Sequence, residues 1–265
     1  MTAVLRAVPD MAKVSFASLV AYRAEMTIWI LTASFPLIML ALWNAVAGEG
    51  QVGGFGQDEF ARYFTATLVV RQITSCWLVW VLNYEIRTGK LSAKLLKPIH
   101  PLWYHGVVTL CAIPFRLVIL APIVGVVVWW RPSLWAIPGA AEILLFVPCV
   151  LLAWLMNFLV QAIFATLSFW LDKTDGFFGM WFSCWIVFSG YIAPLALYPD
   201  WAQGLLRLLP FRGMLAVPVE LAAGFLSPGD AVLDLGIQLI WVLFFLLLLR
   251  WLWRRGVVRY GAYGA

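Results

Sequence analysis

Six long apolar runs constrain this sequence more than any other feature. They cover residues 26–47, 60–83, 103–129, 139–169, 177–197 and 231–251. An apolar helix of about 20 residues matches the thickness of the bilayer hydrocarbon. Charged residues make up 12% of the chain, about half the share found in soluble domains. The sequence therefore predicts an all-α polytopic membrane protein with six transmembrane helices, the fourth of them tilted or broken near Pro148.

The positive charges predict which side of the membrane each connection faces. With a cytoplasmic N-terminus, twelve Lys and Arg residues fall in cytoplasmic segments and three, Arg131, Arg207 and Arg212, in outer ones. This bias follows the positive-inside rule, so both termini are predicted to be cytoplasmic. The net charge of +5 then reflects topology, and no nucleic-acid partner is predicted. Residues 11–24 are interpreted as an interfacial helix and not as part of a cleaved signal peptide.

The connection between the second and third runs, residues 84–101, is short, basic and amphipathic. Gly89 interrupts the helical pattern and Pro98 and Pro101 end it. A helix that restarts at residue 90 has one face with Lys90, Lys94 and Lys97 and another with Leu91, Leu95 and Ile99. Such a helix either lies on anionic lipid or docks into a soluble partner. Its own residues leave both uses open.

Candidate catalytic chemistry is weak along the whole chain. His100 and His105 lie five residues apart without an acidic or Cys residue to complete a metal set, so we interpret them as interfacial. Residues 172–175 resemble the start of a metal motif for lipid head-group transfer, but the five residues from Phe177 onward are apolar. Leu91 stands where a phosphate-binding loop needs Ser or Thr. We predict no catalytic residue, no metal site and no ATP bound by this chain.

Two arginines fall near the middle of predicted spans. Arg71 lies in the second run and Arg116 in the third. An Arg at this depth costs about 2.5–3.5 kcal/mol on insertion scales, so each needs a partner, a wet cavity or a ligand. One interpretation is structural, with carbonyls freed by nearby prolines or the amides of Asn157 and Gln161 as partners. The other is a polar translocation path that favours an anionic group.

The segment before the last run is divided by prolines into pieces too apolar for an ordinary loop and too short to span. These prolines are Pro194, Pro199, Pro210, Pro218 and Pro228. Residues 201–209 and 213–224 are predicted to form short helices. Re-entrant helices account for such pieces, because protein or water can satisfy their ends. A cap at the membrane interface is the alternative.

The order of these elements resembles the permease subunits of ABC-2 type exporters. One stretch that carries the resemblance holds Glu85, Gly89, Leu91, Leu95 and Pro98, and the other holds Ser189, Gly190, Pro194, Pro199, Trp201, Pro210 and Phe211. The resemblance covers essentially the whole chain and is greatest to small bacterial six-span permeases of the type V exporter kind. It implies a single domain over residues 1–265. Its parts are an interfacial helix (1–25), five spans (26–197) with a coupling helix at 84–101, an extracytoplasmic re-entrant region (198–230), a sixth span (231–251) and a cytoplasmic tail (252–265).

The resemblance also implies partners. Two copies of a separate ABC ATPase, with ATP and Mg²⁺ bound there, would dock beneath this chain and a second permease, identical or homologous, in a bacterial cytoplasmic membrane. Residues implied in coupling to the ATPase are Glu85, Arg87, Gly89, Lys90, Leu91, Lys94, Leu95, Lys97 and Pro98, with the N-terminal helix and residues 172–175 as secondary contacts. Residues implied in a substrate path are Thr67, Arg71, Thr74, Arg116, Phe182, Trp185 and Phe188.

The function implied is the outward movement of an amphiphile (drug-like, lipid or glycan-type), driven by ATP that the partner subunit hydrolyses, with membrane lipid around the chain. Two other functions are kept as alternatives. One is a membrane-embedded lipid-modifying enzyme, which the missing carboxylate or histidine cluster disfavours. The other is an accessory subunit that anchors a partner in the membrane without moving a substrate.

Overall fold

The computed structural model describes residues 35–130, 139–171 and 174–260. The predicted interfacial helix, the first residues of the first predicted span and residues 172 and 173 lie outside the described residues. The described helices are α1 Phe35–Ala47, α2 Gln57–Thr74, α3 Leu78–Arg87, α4 Leu91–Leu95, α5 Pro101–Trp130, α6 Ala140–Thr166, α7 Asp175–Phe188, α8 Asp200–Leu208, α9 Pro210–Met214, α10 Ala216–Ala222 and α11 Pro228–Arg259. Short 3-10 turns follow α6 and precede α8.

Within the described residues, four helical stretches are long and apolar enough to cross a membrane. They are Gln57–Arg87, Pro101–Trp129, Ala140–Phe169 and Pro228–Arg259. Helices α1 and α7 are apolar but shorter. The 14 residues of α7 rise only about 21 Å, less than the thickness of the hydrocarbon core. The chain is therefore an integral polytopic membrane protein, and a count of six spans stays a prediction.

The helical break lies in the second predicted span and not in the fourth. Helix α6 passes through Pro148 without interruption. Of the two expectations for the fourth span, the break at that residue is therefore wrong, and the tilt stays a prediction. Helix α2 ends at Thr74 and α3 begins at Leu78. Interior backbone groups at this break need partners, because no water or lipid group can bond them inside the bilayer. Gln161 provides two of these bonds, from its Nε2 to the carbonyl of Cys76 (2.7 Å) and from the amide of Val79 to its Oε1 (3.3 Å).

Helix α7 is also shorter than its apolar run. The helix ends at Phe188, whereas the run extends to residue 197. Gly190 follows with a φ of +86°, a backbone conformation that favours glycine. Its carbonyl accepts a hydrogen bond of 2.8 Å from the Tyr63 hydroxyl. This hydrogen bond holds the turn against α2. The hydropathy of the sequence does not predict where the turn lies, because the residues on both sides of it are apolar.

Helix α6 is central to the bundle and α5 is peripheral. Helix α6 packs against α2, α3, α7, α9, α10 and α11. In the most apolar 18-residue stretch of α2 and α3, 67% of the residues are buried inside the bundle, whereas the corresponding stretch of α5 is only 17% buried. The apolar side chains of α5 therefore face the surroundings of this chain, which in a membrane are lipid or another subunit.

The connections gather at two opposite ends of the bundle. At one end, which we call the Lys94 end, the 84–101 connection meets the C-terminus of α11: the His100 ring lies 4.8 Å from that of Trp253, and Ser92 Oγ lies 3.3 Å from the Tyr260 hydroxyl. At the other, the Asp234 end, the Phe55 ring lies 5.1 Å from that of Phe225. The topology predicted from the positive charges places the 84–101 connection and the C-terminus on the same side of the membrane, and the structure has both at the Lys94 end. Which end faces the cytoplasm stays a prediction.

Candidate coupling surface and translocation cavity

The 84–101 connection contains only a short helix, fixed to the bundle by one leucine. Gly89 has a φ of +78° and reverses the chain between α3 and α4. Leu91 then begins α4 and is fully buried in the main hydrophobic cluster. Leu95 packs against the same cluster and is partly buried. The apolar face predicted from the sequence is thus the anchor of the connection.

A buried ionic cluster joins the connection to the short helix α3 and the long helix α5. Glu85 of α3 accepts from Lys94 Nζ at 2.6 Å and lies 3.1 Å from Nε2 of His105 on α5. Only 8% of Glu85 and 6% of His105 is exposed. A buried carboxylate needs such partners, because burial penalises its charge. Lys94 therefore points inward, and His105 has a partner that its local sequence does not reveal.

Other residues of the connection remain exposed. Lys90 Nζ donates to the Tyr84 hydroxyl (3.0 Å) and lies 4.6 Å from the centre of its ring. Leu96 is 88% exposed. We call Lys90, Leu96, Lys97 and Pro98 the connection surface, because all four are exposed at the Lys94 end. Arg87 is exposed beside them.

A cavity of about 310 Å³ lies among α2, α3, α6 and α7, next to the helical break. Its lining includes the predicted path residues Arg71, Phe182 and Trp185. Its other walls include four aromatic rings, those of Trp77, Trp80, Phe178 and Trp181, beside smaller apolar residues and the polar side chains of Asn157, Gln161 and Asp175. A more open groove of about 410 Å³ shares Trp80 and Asp175 with this cavity and extends to Arg87 and Tyr84 at the Lys94 end. The groove and the cavity are neighbours between the Lys94 end and Arg71, and we call the two together the recess.

The other predicted path residues lie elsewhere. Thr67 and Thr74 are fully buried, and their hydroxyls donate to the carbonyls of Tyr63 and Val70 one turn earlier. The Phe188 ring packs 6.0 Å from that of Phe211, at the far end of α7. The geometry thus gathers part of the predicted wall and adds indole rings that the sequence did not single out.

The two mid-span arginines have different environments. Arg116 Nη1 donates to the carbonyls of Gln72 (3.3 Å) and Ser75 (2.8 Å) and to Ser75 Oγ (2.7 Å). It therefore satisfies the carbonyls freed where α2 ends, and 7% of it is exposed. The structural interpretation accounts for this arginine, although the acceptors belong to α2 and not to the proline turns of α5.

Arg71 is held by aromatic rings instead. Its guanidinium carbon lies 4.8 Å from the centre of the Trp185 ring and 6.0 Å from that of Tyr191. Cation–π contacts of this kind contribute about 0.5–2 kcal/mol each. Two such contacts together contribute about 1–4 kcal/mol, which is comparable with the cost of about 2.5–3.5 kcal/mol for an Arg at this depth. Arg71 also lines the cavity, which makes it a candidate ligand-binding group.

The segment between α7 and α11 forms three short helices. Helix α8 corresponds to the predicted helix at 201–209, and α9 and α10 lie within the predicted 213–224 region and just before it. Pro199 precedes α8, Pro210 is the first residue of α9, and the Phe211 ring lies 4.7 Å from that of Trp181. Pro194 borders a second cavity of about 140 Å³, and Trp201 is 81% exposed. Whether these helices re-enter the membrane stays a prediction.

A network of ion pairs at the Asp234 end is a feature that the sequence analysis missed. Asp234 accepts from Arg207 Nε and Arg212 Nη2, both at 3.0 Å, and only 2% of it is exposed. Arg212 also donates to Glu220 at 2.8 Å. Burial raises the pKa of Glu220 to about 7, against the opposing effect of Arg212. The network ties α8, α9 and α10 to the first turns of α11.

The fold and the cavity define the class of this protein. A bundle of long apolar helices with an aromatic-lined cavity inside it and a charged connection fixed at one end is the build of a polytopic membrane protein that can hold a ligand among its helices. The family model for ABC-2 family transporter proteins matches residues 28–264. The chain belongs to this family, as the sequence resemblance predicted. A search of curated proteins finds no match.

Proposed function

We propose that this chain is the permease subunit of an ABC exporter and moves an amphiphile outward through the bacterial cytoplasmic membrane. Its membership of the ABC-2 transporter family is the observation that carries the proposal. Two copies of a separate ATPase would hydrolyse ATP, and a second permease, identical or homologous, would complete the assembly. In this arrangement the Lys94 end faces the cytoplasm, as the positive-inside rule predicts.

The 84–101 connection supports a mechanical role. Leu91 and the Glu85–Lys94–His105 cluster join α3, α4 and α5 into one unit. A push on the exposed connection would therefore reach α3 and α5 without being absorbed by a flexible loop. The helical break above α3 then lies between the pushed segment and the rest of α2. ATP-driven closure of the partner would act at this corner.

The recess supports a path for an amphiphile. It starts beside the connection and ends at Arg71, and its walls combine indole rings with a small number of polar groups. Ligand sites commonly have this composition, with apolar walls and few polar groups that fix orientation. Drug-like, lipid and glycan-type amphiphiles all suit such walls.

Co-purification tests the docking assignment. The tagged chain, purified from its own cells in mild detergent, is expected to recover an ABC ATPase. The double substitution Leu96→Asp with Lys97→Glu is expected to lower the recovered ATPase about tenfold, because it places charge at the centre of an interface of ordinary size. Lys94 stays unchanged, since its substitution would disturb the buried cluster.

Leu205→Asp provides the matched control. Leu205 is 58% exposed on α8 at the Asp234 end, so the same change there should leave the recovered ATPase unaltered. Equal recovery from the double variant and the wild type would show that the connection surface does not dock. A transport assay separates an exporter from an accessory anchor. The purified complex, reconstituted in lipid vesicles with its ATPase on the outside, should move substrate inward if it is an exporter, whereas an anchor binds the ATPase but moves nothing.

A further inference from the structure

Among the described residues, Arg71 is the cation that lines the inner cavity of about 310 Å³, whereas Arg87 lines the outer groove. No carboxylate of the described residues pairs with Arg71. The acidic residue on the cavity wall is Asp175, whose Oδ1 accepts from Asn83 at 3.3 Å. Trp185, over which Arg71 lies, is ten residues further along α7, a rise of about 15 Å. Arg71 also interacts with the Tyr191 hydroxyl. Its contacts are thus aromatic and neutral.

The neighbouring polar groups are engaged with the backbone. Asn157 Nδ2 donates to the carbonyls of Ala153 (2.9 Å) and Met214 (3.1 Å). Gln161 Nε2 donates to Cys76. A guanidinium offers five N–H donors, so Arg71 is the main source of donors on this wall.

A second unpartnered donor lies beside Arg71. Trp185 is 2% exposed and lines the cavity, and its indole N–H has no acceptor among the described residues. Buried indole N–H groups usually have a partner. An anionic oxygen placed against Arg71 would supply an acceptor for the guanidinium, and also for the indole N–H once the buried Trp185 side chain turns toward it.

We propose that the recess binds an amphiphile by a single anionic group, with Arg71 as the residue that selects it. The indole walls formed by Trp77, Trp80 and Trp181 hold the apolar part. A neutral head leaves the two donors unpaired, and a cationic head is repelled by Arg71. This inference rests on the proposed function for the physiological role of the site, but binding is measurable without the ATPase.

Two fluorescent probes with the same ring system test the selection. They are 1-anilinonaphthalene-8-sulfonate, which is anionic, and N-phenyl-1-naphthylamine, which lacks the sulfonate. Titrations use the full chain in nanodiscs of phosphatidylcholine. Arg71→Gln is expected to weaken binding of the sulfonate about tenfold or more, the usual effect of losing a charged hydrogen bond. Binding of the neutral probe should change less than about twofold.

Further variants keep the test decisive. Arg71→Lys retains the charge and should bind the sulfonate more tightly than Arg71→Gln. Arg71→Met fills the site with an apolar chain, and it replaces Arg71→Gln if that variant does not give a monodisperse protein. Arg62→Gln removes a cation at the Asp234 end, where Arg62 pairs with Glu59, and should leave both probes unaffected.

The outcomes separate the proposal from its rivals. Unchanged sulfonate binding in Arg71→Gln would overturn it, and so would an equal loss for both probes, which would give Arg71 a role in cavity shape alone. Repeating the titrations in nanodiscs that contain phosphatidylglycerol identifies the source of the anion. Loss of the Arg71-dependent binding there assigns a bilayer lipid to the site, and retention assigns a water-soluble amphiphile. A failure of ATPase docking would leave each of these results unchanged.

Discussion

At the scale of single residues, two arginines at similar depth have different roles because their acceptors differ. Arg116 donates hydrogen bonds to carbonyls that the helical break leaves without helical partners. The arginine thereby gains acceptors, and the carbonyls gain a donor. Arg71 meets the ring faces of Trp185 and Tyr191, which stabilise a cation, and it also hydrogen-bonds the Tyr191 hydroxyl. Arg116 is therefore a structural residue of the break. Arg71 retains donors for a ligand.

Substitution of Arg116 is expected to destabilise the protein. Arg116→Met leaves the carbonyls of Gln72 and Ser75 without their donor inside the bundle, at a cost of about 2 kcal/mol or more. A lower midpoint of thermal unfolding in detergent is the expected result. Arg254→Met, at an exposed position of α11, is the control and should leave the midpoint unchanged. An unaltered midpoint for Arg116→Met would mean that water or lipid groups replace the arginine.

At the scale of elements, the broken second span and the short fourth helix belong to one device. Helix α3 begins directly after the break and ends at the Glu85–Lys94–His105 cluster. Residues 75–77 are tied to α5 through Arg116 and to α6 through Gln161. Helix α3 is thus a separate segment with fixed bonds at both of its ends. If the connection moves, the break between α2 and α3 is the place where the two helices can bend relative to each other.

The anchor of this device should depend on Leu91 and not on its exposed neighbour. Leu91→Ala removes a fully buried side chain and is expected to cost about 2–5 kcal/mol. Leu96→Ala, at an exposed position, should change stability by less than about 0.5 kcal/mol. Unfolding midpoints of the two variants in the same detergent make the comparison. Similar midpoints would show that α4 is held by its ionic cluster alone.

At the scale of the whole molecule, the two ends of the bundle use charge differently. The Lys94 end presents exposed cations around one buried cluster. The Asp234 end buries its carboxylates between Arg207 and Arg212, and these pairs hold three short helices against α11. The first arrangement suits contact with a partner. The second suits a cap that keeps its shape.

The cap should make stability depend on pH through Glu220. Its pKa is raised by burial from 4.5 to about 7, and the residue lies outside the four long helices. Between these values the folded protein binds more protons than the unfolded chain, so stability falls as pH rises from about 4.5 to about 7. Above that range the effect is complete.

Thermal unfolding between pH 5 and 8 measures this contribution. Glu220→Gln is expected to flatten the decrease across the window, since an amide does not titrate, while Glu49→Gln at an exposed site should retain it. His100 has the opposite effect on stability. Burial lowers its pKa, so the folded protein binds fewer protons there than the unfolded chain, and this contribution to stability increases as pH rises. The difference between the two Glu variants isolates Glu220. Parallel profiles would assign the pH dependence to other groups.

The sequence by itself determined the membrane class, the four long helices of the described residues and the family. Length and hydropathy of apolar runs depend only on local composition, and they located all four long helices. The fifth run shows the limit of this signal, because the turn at Gly190 depends on a hydrogen bond from Tyr63, which lies 127 positions away. Hydropathy counts such a turn as part of the run.

The tertiary structure alone decided which polar residues are structural and which are available. Lys94 and Lys97 look alike in the sequence, yet Lys94 is paired with Glu85 and Lys97 is exposed. Arg71 and Arg116 look alike too, and only the break after Thr74 gives Arg116 its acceptors. The physical reason is that a polar group inside a bundle is satisfied by atoms distant in sequence. Its role is therefore set by packing, which no local pattern encodes.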